Sequence, residues 1–398
     1  MIMQNLKVKG FRFAACAAGI KKSGKLDLAL IVSATPARCA AVYTTNKVVA
    51  APIVITRERL AAGCCQALLV NSGNANACTG AAGHAVALQT AELAATQLQI
   101  PVATLALAST GVIGQLLPLA PFETFLPQLV ATLAEDRCAD VAEAIRTTDA
   151  YPKIATAAGT SNGHPYNIVA IAKGAGMIHP NMATMLAFVM TDAQVAPDLL
   201  DAALRRAVDA SFNSITVDRD TSTNDMVLLL ANGAAAGTEI QSNTPDGDAF
   251  AANLAVVLLQ LAKLIVKDGE GATKVVEIEV RGALNDAEAR QAALSVATSN
   301  LVKTAFFGED ANWGRIIAAV GYSGAEIDPE RVAISFGDVP VVRDGISTGS
   351  ELEAAATAVL KQPEFKVTID LHLASGLGRY YTSDLTYDYI KCNASYRS

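Results

Sequence analysis

Aromatic side chains are scarce in this chain: one Trp, nine Tyr and 11 Phe make up 5% of its 398 residues. Hydrophobic residues nonetheless account for 52%, so a large core has to be built mainly from Ala, Val, Leu and Ile packed in regular layers. Charge is thin as well, at 17% of residues, with 31 Lys and Arg against 38 Asp and Glu for a net charge of -7. That balance gives no broad positive field, and the basic residues are scattered without interleaved aromatics, so no nucleic-acid partner is expected. Metal-ligand spacing is missing too. Cys64 and Cys65 are adjacent, Cys16, Cys39, Cys78, Cys138 and Cys392 lie far apart, and His84, His164, His179 and His372 form no HExxH-like pattern. No metal site is expected, and seven unspaced cysteines read as reduced thiols in a cytoplasmic protein. The glycine-bearing stretch NSGNANACTG (71–80) lacks the Gly-Lys-Ser/Thr of a phosphate loop, and no GxGxxG is found. The apolar segment from Phe13 to Ile20 is short for an export leader and runs directly into Lys21-Lys22. The most apolar later stretch, Phe250 to Val266, carries Asn253, Gln260 and Lys263, so it reads as a buried helix that falls short of a membrane span.

What is present is an alternation of short apolar runs with helical patterns. Residues 26–33 (LDLALIVS) and 67–71 (ALLVN) suit buried strands. The span from Ala81 to Leu98 has helical spacing and stops before Pro101, and residues 122–146 repeat that pattern. Pro197 opens a helix with Leu200, Ala203, Leu204, Ala207 and Val208 on one face. Val276, Ile278 and Val280 alternate with Glu277 and Glu279, as in a strand with one wet face. Strands in both halves, separated by long helices, give an α/β class in which sheets pack face to face with helices outside them.

The most informative segment is KGAGMIHPNMATMLAFVMTD, Lys173 to Asp192. Gly174 and Gly176 permit close backbone approach, Pro180 fixes a turn, and the run TMLAFVM (184–190) reads as a central strand. Thr184 stands at the loop-to-strand junction. A threonine hydroxyl needs a base to act as a nucleophile, and its own α-amine, freed by breaking the Ala183-Thr184 bond, has a pKa near ~8. The same hydroxyl could first attack the Ala183 carbonyl. From spacing alone, a β-branched residue that merely opens a strand explains Thr184 as well. His179, five residues earlier, is an alternative base and also an ordinary surface histidine.

Several segments in order resemble the ornithine acetyltransferase family of arginine biosynthesis. They are GFRFAACAAGIKKSGKLDLALI, NSGNANACTG, STGVIG (109–114), TTDAYPK (147–153), KGAGMIHPNMATML (173–186), FNSITVDRDTSTND (212–225), KDGEGATK (267–274), FFGEDANWGRI (306–316) and the terminal NASYRS. The resemblance implies an αββα layered sandwich of the N-terminal-nucleophile type, shared with self-processing aminopeptidases. It implies autocatalytic cleavage between Ala183 and Thr184, giving an α chain (1–183) and a β chain (184–398). The acetyl group then moves from N-acetylornithine to Thr184 and on to glutamate. Thr110 and Gly111 are the implied oxyanion donors. Thr147, Lys173, Thr184, Glu270, Asn393 and Ser398 are the implied substrate contacts. Lys173 suits a carboxylate, and Glu270 suits the side-chain amine of ornithine. No permanently bound cofactor is implied. Acetyl-CoA is an optional co-substrate, since some members accept it and others only recycle acetyl groups. Two α and two β chains are expected to form a heterotetramer.

Two rival readings use the same residues: a hydrolase with water as acceptor, and a metabolite-binding protein that keeps the fold without cleavage. Acetylglutamate formation separates the first from transfer, and an intact chain would mark the second.

Overall fold

Period-two alternation along the apolar strands decides the architecture, because it gives each strand two faces to bury. The computed structural model describes residues 6–179 and 185–394. Strands β1 (Phe11–Cys16) and β2 (Leu28–Tyr43) pair antiparallel and lead through α1 (Ala51–Arg59) to β3 (Cys64–Asn74), α2 (Gly80–Leu98) and β4 (Leu105–Val112). Helices α3 (Ala120–Ala131) and α4 (Cys138–Ala144) precede the hairpin β5 (Lys153–Ser161) and β6 (His164–Lys173). Then come β7 (Leu186–Thr191), α5 (Pro197–Ala210), the two-residue β8 (Ile215–Thr216), β9 (Met226–Ala231) and α6 (Pro245–Lys267).

Among the described residues these strands, β8 excepted, form one eight-stranded sheet of order β4-β3-β2-β9-β7-β6-β5, with β1 on β2. Strand β2 bends where its pairing with β3 breaks register between Val32 and Ala37, a gap that contains Pro36, which cannot donate to a ladder. Its first half pairs with β1 and β3 and its second half with β9, so the sheet folds over on itself. Leu28, Leu30, Leu69, Leu105 and Leu107 face outward beneath α2 and α3. Their alternates Ala29, Ile31, Leu68, Val70, Ala106 and Ala108 face inward and meet Val169, Ile171, Leu186, Phe188, Met190 and Leu228 of the other half. That half turns Ile168, Ala170, Ala187, Val189 and Leu229 outward onto α5 and α6. The expected order of helix, sheet, sheet, helix is thus present, and each large side chain in the inner layer contributes ~1.5–3 kcal/mol by burial.

A second, seven-stranded sheet follows: β10 (Val275–Ala283), β11 (Ala333–Phe336), β12 (Val339–Arg343), β13 (Ile346–Ser347), β14 (Glu364–Asp370) and β15 (Gly376–Ser383), with β8 at one edge. Val276, Ile278 and Val280 pack against α7 (Asp286–Thr298) and α9 (Trp313–Gly321), while α8 (Asn300–Phe307) and α10 (Ser350–Leu360) complete the layer and α11 (Tyr387–Ala394) follows β15.

Three expectations need adjustment. The helical stretch 122–146 is two helices, because Ala134 leaves the helix to exchange backbone hydrogen bonds with Phe13 at 2.8 and 3.0 Å. The strand read over 184–190 begins at Leu186, and Thr184 lies outside the described residues. Helix α6 is, by length and composition, long and apolar enough to cross a membrane, contrary to the reading of 250–266. Its Phe250, Leu254, Leu258, Leu261 and Ile265 are fully buried against the sheet and α5, which accounts for that composition as a core helix. Its start is set by the Thr244 hydroxyl, which accepts from Gly247 N–H at 3.0 Å, with Pro245 next and Asp246 and Asp248 in the first turn.

Candidate active site

The inward rows of the two facing half-sheets end in polar residues at the same mouth of the sandwich. In β4 the row Ala106, Ala108 continues to Thr110; in β6 the row Val169, Ile171 continues to Lys173. They meet across the gap: Lys173 Nζ donates to Thr110 Oγ1 at 3.1 Å, with both residues buried. Burial pulls the Lys173 ammonium below its ordinary range, opposed by the charges of Asp149, Asp225 and Glu270. Asn224 ties the same two layers together, its amide donating to the carbonyls of Ala75 at 2.7 Å and Ser109 at 2.8 Å.

Gly111 follows Thr110 with φ +132, and a Cβ there would lie 2.3 Å from the Gly73 carbonyl carbon. Only glycine therefore lets β4 pass so close to β3 at this point. Gly176 makes room of another kind, since a Cβ would stand 2.5 Å from the Glu270 carboxyl, which occupies that space. Glu270 is held by its own N–H to the Ala175 carbonyl at 2.9 Å, and its Oε2 accepts from Asn393 Nδ2 at 2.8 Å.

Asp149 organises the loop beside Lys173. It accepts from Thr147 N–H at 3.0 Å, Gly174 N–H at 2.7 Å and Lys153 Nζ at 2.6 Å. Burial alone would raise the Asp149 carboxyl, but the Lys153 and Lys173 charges and the Gly174 N–H outweigh it and hold it well below the usual range. Lys153, itself fully buried, also reaches Asp268 at 2.5 Å, and Asp268 accepts from Ala150 N–H at 3.0 Å.

Of the residues singled out in the sequence, Thr110, Gly111, Thr147, Lys173, Glu270 and Asn393 are linked into this one region. Thr184, Ala183 and Ser398 lie outside the described residues. His179 contacts Thr216 Oγ1 of β8 at 3.4 Å, and burial followed by the Arg219 charge lowers its pKa. Among the described residues no group of three or more His, Cys, Asp and Glu side chains gathers as for a metal ion. Sequence reasoning missed Asp149, Lys153, Asp268, Asn224 and Asp225. All five sit in the quoted segments TTDAYPK, TSTND and KDGEGATK, but most of their partners, such as Asp268 for Lys153 and Ala75 and Ser109 for Asn224, come from distant parts of the chain.

A lysine and a threonine hydroxyl at the mouth of a sandwich, flanked by carboxylates, can receive an anionic group and polarise a carbonyl. The ArgJ family model matches residues 12–398. A Syntrophotalea carbinolica protein described as "Arginine biosynthesis bifunctional protein ArgJ" is 61% identical over 393 residues, covering 99% of this chain and 100% of that protein. A Geobacter sulfurreducens protein of the same description is 55% identical with the same coverage. Among solved structures, an arginine biosynthesis bifunctional protein argJ from Bacillus halodurans is 44% identical with a TM-score of 0.51, covering 52% of this chain and 98% of that one. The chain belongs to the ArgJ family.

Proposed function

We propose that this chain is a self-cleaving acetyltransferase of arginine biosynthesis that moves the acetyl group of N-acetylornithine to glutamate through acetyl-Thr184. Family membership supports the activity, and the Lys173–Thr110 bond is the observation that supports the residue roles. A hydroxyl has one proton and two lone pairs. Thr110 accepts from Lys173 at 3.1 Å, which leaves its proton free to point at a developing oxyanion.

In maturation the Thr184 hydroxyl adds to the Ala183 carbonyl, the C–N bond breaks, and water hydrolyses the resulting ester. The products are an Ala183 carboxylate and a Thr184 α-amine. In transfer that amine takes the hydroxyl proton as the oxygen attacks the acetyl carbon of N-acetylornithine. Thr110 Oγ and the Gly111 N–H receive the oxyanion, and collapse expels ornithine, whose nitrogen takes the proton. The glutamate amine then attacks acetyl-Thr184, giving N-acetylglutamate and the free threonine. Lys173 binds a substrate carboxylate, Glu270 meets the ornithine side-chain ammonium, and Thr147, Asn393 and Ser398 complete the contacts. The half-chain length of the match also fits cleavage: the Bacillus halodurans chain is matched over 98% of its length yet spans 52% of this one. All seven cysteines are free, as a reduced cytoplasm would keep them.

The test begins with the denatured mass and N-terminal sequence of the purified protein. Two fragments, the second starting TMLAFVM, and acetylglutamate from acetylornithine plus glutamate are expected. Thr184→Ala should abolish both cleavage and transfer; a cleaved or active variant sinks the nucleophile assignment. Acetyl-CoA in place of acetylornithine separates a bifunctional enzyme from a recycling one, and native mass tests the proposed assembly of two α and two β chains.

A further inference from the structure

Thr386 stands in the short turn between β15 and α11 and is 4% exposed. Its hydroxyl works in both directions, as one proton and two lone pairs allow. The proton goes to the Gly271 carbonyl at 2.7 Å, and the oxygen accepts the Tyr389 N–H at 3.2 Å. The second bond caps the N-terminus of α11. No residue of α11 is buried, so packing alone does not fix where this helix lies. Polar and edge contacts hold it instead: the Tyr387 ring meets Phe307 edge-on with centroids 5.7 Å apart, and Asn393 Nδ2 donates to Glu270 Oε2 at 2.8 Å.

The first bond acts on the loop that carries Glu270. There the Glu270 N–H is held by the Ala175 carbonyl at 2.9 Å and the Ala272 N–H by the Gly269 carbonyl at 2.8 Å. Asp384 holds the N–H groups of Thr273 and Lys274 at 2.9 and 3.1 Å. The Gly271 carbonyl, directly after Glu270, is the group that Thr386 takes. Gly271 has φ +67, and a Cβ there would lie 2.4 Å from the Tyr389 nitrogen, so the loop and the first turn of α11 touch and only glycine fits between them. One hydroxyl therefore sets both partners of the Asn393–Glu270 bond, the loop through Gly271 and the helix through Tyr389. We propose that Thr386 is a positioning residue for substrate selectivity: it locks α11 to the Gly271 carbonyl and so holds the Glu270 carboxylate where it meets the side-chain ammonium of the acyl donor. This rests on the assignment of Glu270 to the ornithine ammonium. That ammonium is remote from the acetyl carbon, so its contact is the same before and during acyl transfer and acts on KM rather than on kcat.

Thr386→Val tests this, because valine keeps the shape of the side chain and removes the hydroxyl that both bonds use. Wild type and variant, expressed as the full chain, are assayed with glutamate as acceptor and two acyl donors: N-acetylornithine, and N-acetylnorvaline, which has the same carbon chain without the ammonium. Acetylglutamate is read by mass, so that slow turnover of the neutral donor is measured too. In the variant, KM for acetylornithine should rise at least about ten-fold with kcat within about three-fold. Its kcat/KM for acetylnorvaline should stay within about three-fold of wild type. Thr386→Ser, which restores the hydroxyl, should recover most of the lost preference, and Thr386→Ala repeats the test should the valine variant not fold. An equal fall for both donors, as a general loss of structure would give, overturns the proposal. So does an unchanged KM for acetylornithine, or a serine variant no better than the valine one. Glu270→Gln is the control for the underlying assignment and should reduce the preference for acetylornithine at least as far. If it leaves that preference intact, Glu270 does not meet the ammonium, and it is the Glu270 assignment that falls.

Discussion

Thr110 shows how a single hydroxyl can be prepared by its neighbour. One lone pair of its oxygen receives Lys173 Nζ, and its proton stays free to turn toward substrate in the proposed role. Thr110→Val keeps the shape and removes both functions at once. Formation of the acetyl-enzyme, followed by rapid quench and mass, should fall by about 10²–10³-fold, the usual loss for an oxyanion donor, and Thr110→Ser should recover most of it. A valine variant as fast as wild type would end the oxyanion role. At this scale the sequence was readable where a motif held the residue: STG for Thr110 and Gly111, and KGAG for Lys173. It was silent for Asp149, which looks like a surface carboxylate in TTDAYPK, because Asp268, which shares Lys153 with it, lies 115 residues beyond that lysine.

The ion triad of Asp149, Lys153 and Asp268 joins the start of β5 to the end of α6 and fixes the turn that presents Lys173. Breaking such a buried set by removing one member leaves uncompensated charge. Lys153→Met should therefore lose about 3–5 kcal/mol at neutral pH, read by urea unfolding. The pH dependence follows from the direction of the Asp149 shift. With Lys153 present its carboxyl is held low, so its stabilisation is in full force above the unfolded value near ~4 and fades only as pH falls through the lower folded value. Without Lys153 the burial effect dominates, the folded carboxyl titrates higher, and acidification relieves the cost. The gap between wild type and variant should accordingly narrow from pH 7 toward pH 4; a constant gap would mean the lysine acts by packing alone. Elements with clean periodicity were readable in advance: β3, α2, α5, α6 and β10 fall close to their expected spans. The fold-over of the sheet was not, because the register break in β2 and the bridge from Phe13 to Ala134 are tertiary events with no period of their own.

Across the whole molecule, the proposed cut falls between β6 and β7, two strands that are neighbours in the sheet. The order β4-β3-β2-β9-β7-β6-β5 places β9 and β7, both from 184–398, between β2 and β6, both from 1–183. The second piece thus supplies the two strands between them, and its Leu228, Leu230, Phe188 and Met190 fill the layer lined by Ile31, Leu68 and Val70 of the first. Asn224 and the Lys153–Asp268 pair add buried polar links across the same divide. Separation would have to open the ladders on both sides of β9 and β7 and expose the inner core, which amounts to unfolding. The two pieces should therefore travel as one species in native size exclusion and native mass spectrometry, at any dilution, and part only in denaturant. Either piece recovered alone and folded from native buffer would contradict this, since neither holds a complete inner layer.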